Sequence, residues 1–225
     1  MIKAVLIDID NTLLDFLKSA KEAIKVVFES FGLEYTDNVF LTFDRINEGL
    51  WKQIEKKEIT KQDMYKLRWK LILEELSVDF DPDTMETAFR STLSGIALPV
   101  DNAFELLDYL HGKYPLYAAT NSSYEHQYKR LTKAGMLKYF DGLFVSERMG
   151  ALKPAKEFFD VAFEEMGNIA PENAILIGDS LTADILGGVN YGIKTVWYNP
   201  TNLPTPDYPR PDFTVSDLRE IKDIL

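Results

Sequence analysis

Cysteine is absent from this 225-residue sequence, and its absence excludes several kinds of chemistry. A disulfide, a thiolate metal site and a cysteine nucleophile each require that side chain. Long apolar runs are absent as well, because the first stops at Asp8 and no later one reaches the roughly 18 residues that a membrane span needs. We therefore expect a cytoplasmic protein without a signal peptide or a membrane partner.

Positive charge is scarce in the sequence, which has 25 Lys and Arg residues against 36 Asp and Glu residues and a formal net charge of -11. A field of this sign repels phosphate polymers, so we expect no nucleic acid partner. A small phosphorylated substrate is still compatible with the charge if a few cations lie at its site. The oligomeric state stays open between a monomer and a homodimer.

Short apolar runs alternate with helical patterns through most of the chain. Most of the runs lack polar alternation, which is typical of a parallel sheet covered on both faces. They lie at residues 2–8, 115–120, 142–146, 173–179 and 194–199, with a last short strand expected at 213–216. The helical patterns lie at 101–112, 122–135, 155–167 and 181–191. This order predicts an α/β fold with a Rossmann-like parallel sheet.

Residues 15–96 break the alternation, because their apolar residues recur at helical spacing. Four helices are predicted here, and in the third of them Met64, Leu67 and Leu71 form the expected buried stripe. The segment is therefore interpreted as a four-helix domain, inserted into a core that consists of residues 1–14 and 97–225.

Polar residues cluster where the predicted strands end, at the edge of a parallel sheet where ligands bind. They are Asp8, Asp10, Thr120, Asn121, Lys153, Asp179 and Asp184. Each has a separate structural explanation, such as a strand end, a helix cap, a surface lysine or a partner for a helix dipole. A shared site explains all of them at once.

The shared site has a chemical interpretation. Three carboxylates in one crevice repel one another and need a cation, and an all-oxygen site of this kind suits Mg²⁺. A lysine and a threonine hydroxyl beside the metal would bind the oxygens of a phosphoryl group. One carboxylate can then attack phosphorus while a second one, two residues on, transfers the proton.

Four segments carry a resemblance to a known family. In order and spacing, "DIDNTLLD", "ATNS", "GALKP" and "GDSLTADILGG" resemble the four motifs of the haloacid dehalogenase (HAD) superfamily of phosphatases. The resemblance implies that Asp8 is the nucleophile and that Asp10 is the general acid and base. It also implies that Thr120 and Lys153 hold the phosphoryl group, with Asn121 as a further substrate-binding candidate.

The same resemblance implies a metal site and a reaction class. Mg²⁺ would be bound by the Asp8 carboxylate, the backbone carbonyl of Asp10 and Asp179, and Asp184 would hold waters of the metal or bind it directly. Thr12 would support the loop. Family members that act as dehalogenases use no metal and lack an aspartate equivalent to Asp10, so its presence points to phosphoryl chemistry. The expected activity is a Mg²⁺-dependent phosphomonoester hydrolase with an aspartyl-phosphate intermediate.

A second resemblance concerns the substrate. The stretch "INEGLWKQIEKKEIT" in the insert, with "LPVDNAFELLDYL" and "ADILGGVNYG" outside it, looks like the pyrimidine-nucleotide 5′-nucleotidase subgroup, which acts on nucleoside monophosphates. The helical insert at residues 15–96, placed after the first motif, is similar to the cap domain of the family's first class. Caps of this type close over the site, so Arg45, Asn47 and Trp51 are candidates for contact with a base or sugar. Alternatively, Trp51 packs against an apolar stripe, and Arg45 and Asn47 are solvated surface.

Other functions are weighed against the same residues. A dinucleotide-binding oxidoreductase needs G-x-G-x-x-G directly after a strand, whereas "GGVNYG" ends a predicted helix, and no P-loop motif occurs. Within the enzymes, a phosphatase of small sugar phosphates or phosphoglycolate and a hexose phosphomutase stay open. The alternative from another class is a non-catalytic protein that keeps the HAD fold as a binding scaffold.

Overall fold

The computed structural model describes all 225 residues and divides into two compact units. Unit 1 consists of Met1–Asp15 and Leu98–Leu225, and unit 2 consists of Phe16–Ala97. The insert predicted at residues 15–96 therefore differs from unit 2 by one residue at each end. None of the helices has both the length and the apolar character that crossing a membrane requires.

Unit 1 is built on a sheet of six parallel strands, so the predicted α/β class is confirmed. The strands are β1 (Ala4–Ile7), β2 (Leu116–Thr120), β3 (Gly142–Val145), β4 (Ala174–Gly178), β5 (Lys194–Tyr198) and β6 (Phe213–Val215). Their order across the sheet is β3-β2-β1-β4-β5-β6. Every residue of β1 and β4 is buried, as expected for central strands covered on both faces.

The strand order reverses at β1, which pairs with β2 on one side and with β4 on the other. In an open parallel sheet, ligands bind at such a switch point, outside the carboxyl ends of the strands. Asp8 and Asp179 directly follow β1 and β4. The topology therefore brings these two carboxylates to the switch point.

The first four α-helices belong to unit 2, and the other five belong to unit 1. They are α1 (Phe16–Ser30), α2 (Asp37–Glu55), α3 (Lys61–Leu76), α4 (Pro82–Ser94), α5 (Ala103–Leu110), α6 (Tyr124–Ala134), α7 (Ser146–Met149), α8 (Lys156–Glu165) and α9 (Leu186–Tyr191). A π-helical segment, Leu181–Ile185, precedes α9. Because α9 ends at Gly192 with a left-handed φ of 83°, the stretch "GGVNYG" is a helix end, as predicted.

Unit 2 packs its four helices around a cluster of buried aromatic rings. The ring centroids of Phe43 and Phe89 are 5.1 Å apart, and those of Trp69 and Phe89 are 5.5 Å apart. Aromatic pairs at these separations add to the stability gained from burying their area. The four helices predicted for the insert are thus present, and they pack around an aromatic core.

The buried stripe predicted for α3 is wrong at Leu71, whose exposure is 39%. The helix instead turns Trp69 and Arg68 inward, and the Arg68 guanidinium donates to Glu86 Oε1 at 2.6 Å and to Asn47 Oδ1 at 2.9 Å. A pattern that counts only apolar residues assigns an arginine to the surface, so it misplaces this face of the helix.

Candidate active site

The loop after β1 is closed by backbone hydrogen bonds to one carbonyl. The N–H groups of Leu13 and Leu14 donate to the Ile9 carbonyl at 2.9 and 2.8 Å, and Asn11 supplies a left-handed φ of 60° at the turn. Asparagine tolerates this conformation better than most residues. The tight loop fixes Asp8, which is only 7% exposed, and directs the chain so that Asp10 keeps a more accessible position.

Lys153 bridges the candidate nucleophile and a second carboxylate. Its Nζ donates to Asp8 Oδ1 at 2.7 Å, to Asp184 Oδ1 at 2.5 Å and to the Ala119 carbonyl at 2.5 Å, and the residue is 1% exposed. These acceptors satisfy all three N–H bonds of an ammonium group. Burial lowers the pKa of Lys153, but Asp184 and Asp8 outweigh burial and raise it, so the side chain is charged. The separate reading of this residue as a surface lysine is therefore wrong.

Asn121 holds the backbone of Lys153 in place. Its side-chain oxygen accepts from the Lys153 N–H at 2.8 Å, and its amide nitrogen donates to the Lys153 carbonyl at 2.8 Å. The N-cap of α6 is Ser123, so the alternative that residues 120–122 cap this helix is not realised. The carboxamide of Asn121 therefore joins the loop after β2 to the loop that carries the lysine.

Three carboxylates converge beside this lysine. Single ligand oxygens of Asp8, Asp179 and Asp184 lie within 4.8 Å of one another. Burial, reinforced by neighbouring carboxylates, raises the pKa of Asp8 well above its usual value and raises the pKa of Asp179 to about 7. Three carboxylates with one lysine leave a surplus of negative charge, and the all-oxygen chemistry of the cluster fits a hard divalent cation.

Two neighbours orient Asp179. The Thr12 hydroxyl donates to Asp179 Oδ1 at 3.3 Å, which agrees with the loop-supporting role expected for Thr12. The Trp197 indole N–H, from β5, donates to the Asp179 carbonyl at 2.9 Å. The helix-cap reading of Asp179 fails, because Ser180 is the N-cap and accepts from the Ala183 N–H.

A glycine makes room for Asp184. A Cβ added to Gly178 would lie 2.2 Å from Asp184 Oδ2, far inside any real contact distance. Asp184 also accepts from the Ser180 N–H at 3.1 Å, and the residue is 1% exposed. The last residue of β4 is thus glycine for a steric reason that concerns the acidic cluster.

Two residues that sequence reasoning missed hold Asp10. The Arg130 guanidinium donates to Asp10 Oδ1, and the Gln127 amide donates to Asp10 Oδ2 at 2.6 Å and to Thr120 Oγ1 at 3.3 Å. Both donors come from α6, spaced by three residues on one face. The spacing was visible in the sequence, but polar residues on a helix face normally indicate solvent, so nothing marked them as buried.

The candidates of the insert lie on α2 within unit 2. Arg45 is exposed and pairs with Glu75 at 2.5 Å, whereas Asn47 is buried and accepts the hydrogen bond from Arg68. Trp51 is partly buried. Asn47 thus takes part in the internal polar network of unit 2, and the substrate-binding roles of all three residues stay predictions.

Comparison with known proteins identifies the family. Residues 2–192 match the model of the haloacid dehalogenase-like hydrolases, so the chain belongs to this family. HAD-hydrolase YfnB of Bacillus subtilis is 34% identical over 99% of this chain and 95% of its own length. A crystal structure of YfnB bound to magnesium matches with a TM-score of 0.95 and covers 100% of this chain and 98% of that one.

Two further relatives have a more specific name. Pyrimidine 5′-nucleotidase PynA of Streptococcus pneumoniae is 32% identical over 99% of this chain and 94% of its own length. Pyrimidine 5′-nucleotidase YjjG of Escherichia coli is 31% identical over 98% of this chain and 96% of its own length. The superfamily predicted from the four motifs is confirmed, and the chain is an enzyme of the hydrolase class.

Proposed function

We propose that this protein is a Mg²⁺-dependent phosphomonoester hydrolase that works through an aspartyl-phosphate at Asp8, with pyrimidine nucleoside 5′-monophosphates as substrates. The observation that carries the proposal is the Lys153 bridge, with Nζ 2.7 Å from Asp8 Oδ1 and 2.5 Å from Asp184 Oδ1. A buried cation at this point offsets the repulsion between an attacking carboxylate and a phosphate monoester.

The reaction consists of two displacements at phosphorus. An Asp8 oxygen bonds to phosphorus as the ester P–O bond breaks, and Asp10 gives its proton to the departing alkoxide. Water then attacks the phosphorus of the aspartyl-phosphate, Asp10 takes a proton from it, and inorganic phosphate leaves as the Asp8 carboxylate is restored. In both steps Thr120 donates a hydrogen bond to a phosphoryl oxygen, and Lys153 exchanges its hydrogen bond to Asp8 for one to a phosphoryl oxygen.

The acidic cluster is the proposed magnesium site. Asp8, Asp179 and Asp184 would hold the ion with their carboxylates, and Asp10 would contribute its backbone carbonyl. Carboxylate oxygens are preferred ligands of Mg²⁺. Burial, together with neighbouring carboxylates, raises the pKa values of Asp8 and Asp179, and a bound cation would favour their charged forms. When bound, the ion supplies positive charge that stabilises the phosphoryl oxygens.

Magnesium is expected to raise the melting temperature, and to raise it more at about pH 8 than at about pH 5.5. The pKa of Asp179 is raised to about 7, chiefly by burial, so below that pH a proton occupies a carboxyl that the ion needs. Metal affinity therefore increases as the pH rises through this value. Thermal melts with and without Mg²⁺ measure this effect.

The variant Asp179→Asn is the control for the magnesium measurement, because it removes the titrating carboxyl. We expect it to lose most of the stabilisation by Mg²⁺ at both pH values. Equal stabilisation of the wild type at both pH values would contradict the assignment of Asp179 as a ligand.

The substrate class is supported by the relatives rather than by the acidic cluster. Two of them, similar to this chain over nearly its whole length, are named pyrimidine 5′-nucleotidases. Arg45, Asn47 and Trp51 stay our candidates for recognising the base or sugar. Of these, Asn47 already has a partner in Arg68, which makes Arg45 and Trp51 the first residues to vary.

Phosphate release from a substrate panel tests the proposal. The purified protein is incubated with UMP, dUMP, dTMP, purine monophosphates, phosphoglycolate and hexose phosphates, each with Mg²⁺ and with EDTA. The pair dTMP and dAMP is matched, because the two differ only in the base. We expect release from pyrimidine monophosphates that EDTA abolishes and that Asp8→Asn, prepared in parallel, does not show.

Other outcomes of the panel would change particular parts of the proposal. Metal-dependent release from sugar phosphates or phosphoglycolate alone would overturn the substrate and keep the chemistry. Conversion of a hexose phosphate without phosphate release would indicate a mutase. No reaction with any compound would contradict the enzyme mechanism and favour a binding scaffold.

A further inference from the structure

Arg130 and Gln127 form a polar pair that contacts Asp10 and has no role in the reaction steps described above. Both residues are 0% exposed, although neither is an apolar side chain. Burying a guanidinium is costly unless it is paired, and here its ion-pair partner is the Asp10 carboxylate. The chain therefore places a fully buried cation at one particular carboxylate.

The pair donates to both carboxylate oxygens of Asp10 and still leaves part of the side chain accessible. Arg130 donates to Oδ1 and Gln127 donates to Oδ2, while the Asp10 side chain is 30% exposed. A carboxylate has about four lone-pair sites, so two donors leave capacity for a further partner. A side chain with two held oxygens has little freedom to rotate away.

The Gln127 amide also fixes where Asp10 is held. The same nitrogen that donates to Asp10 lies 3.3 Å from the hydroxyl of Thr120, one of the proposed phosphoryl ligands. Gln127 thus ties the carboxylate of Asp10 to the residue that would contact the transferring group. A shift of a reacting group by an ångström is enough to cost a large factor in rate.

We propose that Arg130 and Gln127 are positioning residues that hold the Asp10 carboxyl against the leaving-group oxygen of the substrate. The proposal rests on the proposed phosphatase function and extends it to α6. It predicts that losing either residue slows the first displacement for substrates whose leaving group needs a proton. For substrates whose leaving group needs no proton, the rate of that displacement should change little.

Two substrates of similar shape separate these cases. The alkoxide of p-nitrobenzyl phosphate needs a proton to leave, whereas p-nitrophenolate leaves without one. In Arg130→Gln and in Gln127→Met we expect kcat/KM for p-nitrobenzyl phosphate to fall about 10- to 100-fold, and kcat/KM for p-nitrophenyl phosphate to fall about 3-fold or less. The ratio of the two values is the measurement, because kcat/KM reports the first displacement only.

Two controls distinguish positioning from a general structural role. Leu131→Ala opens a cavity on the same helix and keeps both hydrogen bonds to Asp10, so it should lower the melting temperature and leave the ratio unchanged. In the Asp10→Asn background, adding Arg130→Gln should cause no further loss, because residues that act through one group are not additive.

The outcomes distinguish failure of the positioning role from failure of the proposed phosphatase function. Suppose that the wild type hydrolyses both substrates. Unchanged ratios in Arg130→Gln and Gln127→Met, or an additive loss in the double variant, would then overturn the positioning role alone. A wild type that hydrolyses neither substrate with Mg²⁺ would contradict the proposed function and overturn this inference with it. A selective loss in both variants that vanishes in the Asp10→Asn background would establish it.

Discussion

Replacing Asp8 with asparagine is expected to abolish turnover while leaving the metal-free protein at least as stable as the wild type. An amide has the shape of the carboxylate but no negative charge, so its oxygen is too weak a nucleophile to displace the ester oxygen at phosphorus. The loss should be at least about 10⁴-fold, in the range seen when a covalent nucleophile is removed.

The stability side of this prediction follows from the electrostatics of the cluster. Burial, together with Asp184 and Asp179, raises the pKa of Asp8 well above its usual value, although Lys153 lowers it. When folding raises the pKa of a carboxyl, the folded state loses stability as the pH rises above the pKa of the unfolded chain. The loss is complete once the pH exceeds the pKa of the folded state. Because asparagine carries no charge, the variant avoids this cost at neutral and alkaline pH, and Lys153 keeps Asp184 as its ion-pair partner.

Phosphate release and thermal melts of the same samples test both halves. Asp223→Asn is the matched control, since it makes the same chemical change at an exposed position and should alter neither turnover nor melting temperature. Retained turnover in Asp8→Asn would refute the nucleophile assignment. A sharply lower melting temperature in the absence of metal would contradict the account of the charge in the cluster.

Replacing Lys153 with methionine is expected to reduce both activity and stability. The variant leaves Asp8 and Asp184 buried without their common cation, and breaking a buried ion pair from one side costs about 3–5 kcal/mol. Activity should fall by about 10²–10³-fold, the loss typical of removing one preorganised donor to developing charge. Methionine keeps much of the length and volume of the side chain.

The stability deficit of Lys153→Met should depend on pH in a definite direction. Lys153 lowers the pKa of Asp8, so its removal raises that pKa further. A carboxyl with a raised folded pKa loses stability as the pH rises, which means that the deficit grows from about pH 5 to about pH 8. Bound Mg²⁺ should recover part of it, because the ion supplies positive charge to the same carboxylates.

Urea unfolding at the two pH values measures this deficit, with activity assayed in parallel. Lys156→Met is the matched control, because the Lys156 side chain is 73% exposed and its pair with Asp160 lies on the surface. Exposed pairs of this kind contribute about 0–1 kcal/mol, so little change is expected there. A deficit that is the same at both pH values would show that lost packing, and not charge, accounts for the effect of Lys153→Met.

Much of the fold follows from local pattern. Runs of buried apolar residues without alternation are characteristic of central parallel strands, and the six observed strands fall within the runs expected from the sequence. The helical spacing of the insert likewise gave four helices. Where the pattern failed, at α3, the cause was Arg68, a buried residue whose pairing with Glu86 has no signal in hydropathy.

The site was predictable in part, for a related reason. Asp8 and Asp179 directly follow β1 and β4, so the parallel topology alone brings them to one edge. Lys153 lies in the segment between α7 and α8, and the motif spacing identified it. The sequence does not reveal that Lys153 bridges Asp8 and Asp184, because that contact depends on how far two loops approach one another.

The amino-acid sequence alone therefore determined the class of fold, the four motifs and the superfamily, since these depend on residue order and spacing. Tertiary packing decided which polar groups are buried and paired. Asp184 lies against Lys153 because Gly178 leaves room for it, and Asp10 is held by Arg130 and Gln127 because one face of α6 turns toward it. Such contacts join residues far apart in the chain, so the cost of burying each charge is settled only when all partners are in place.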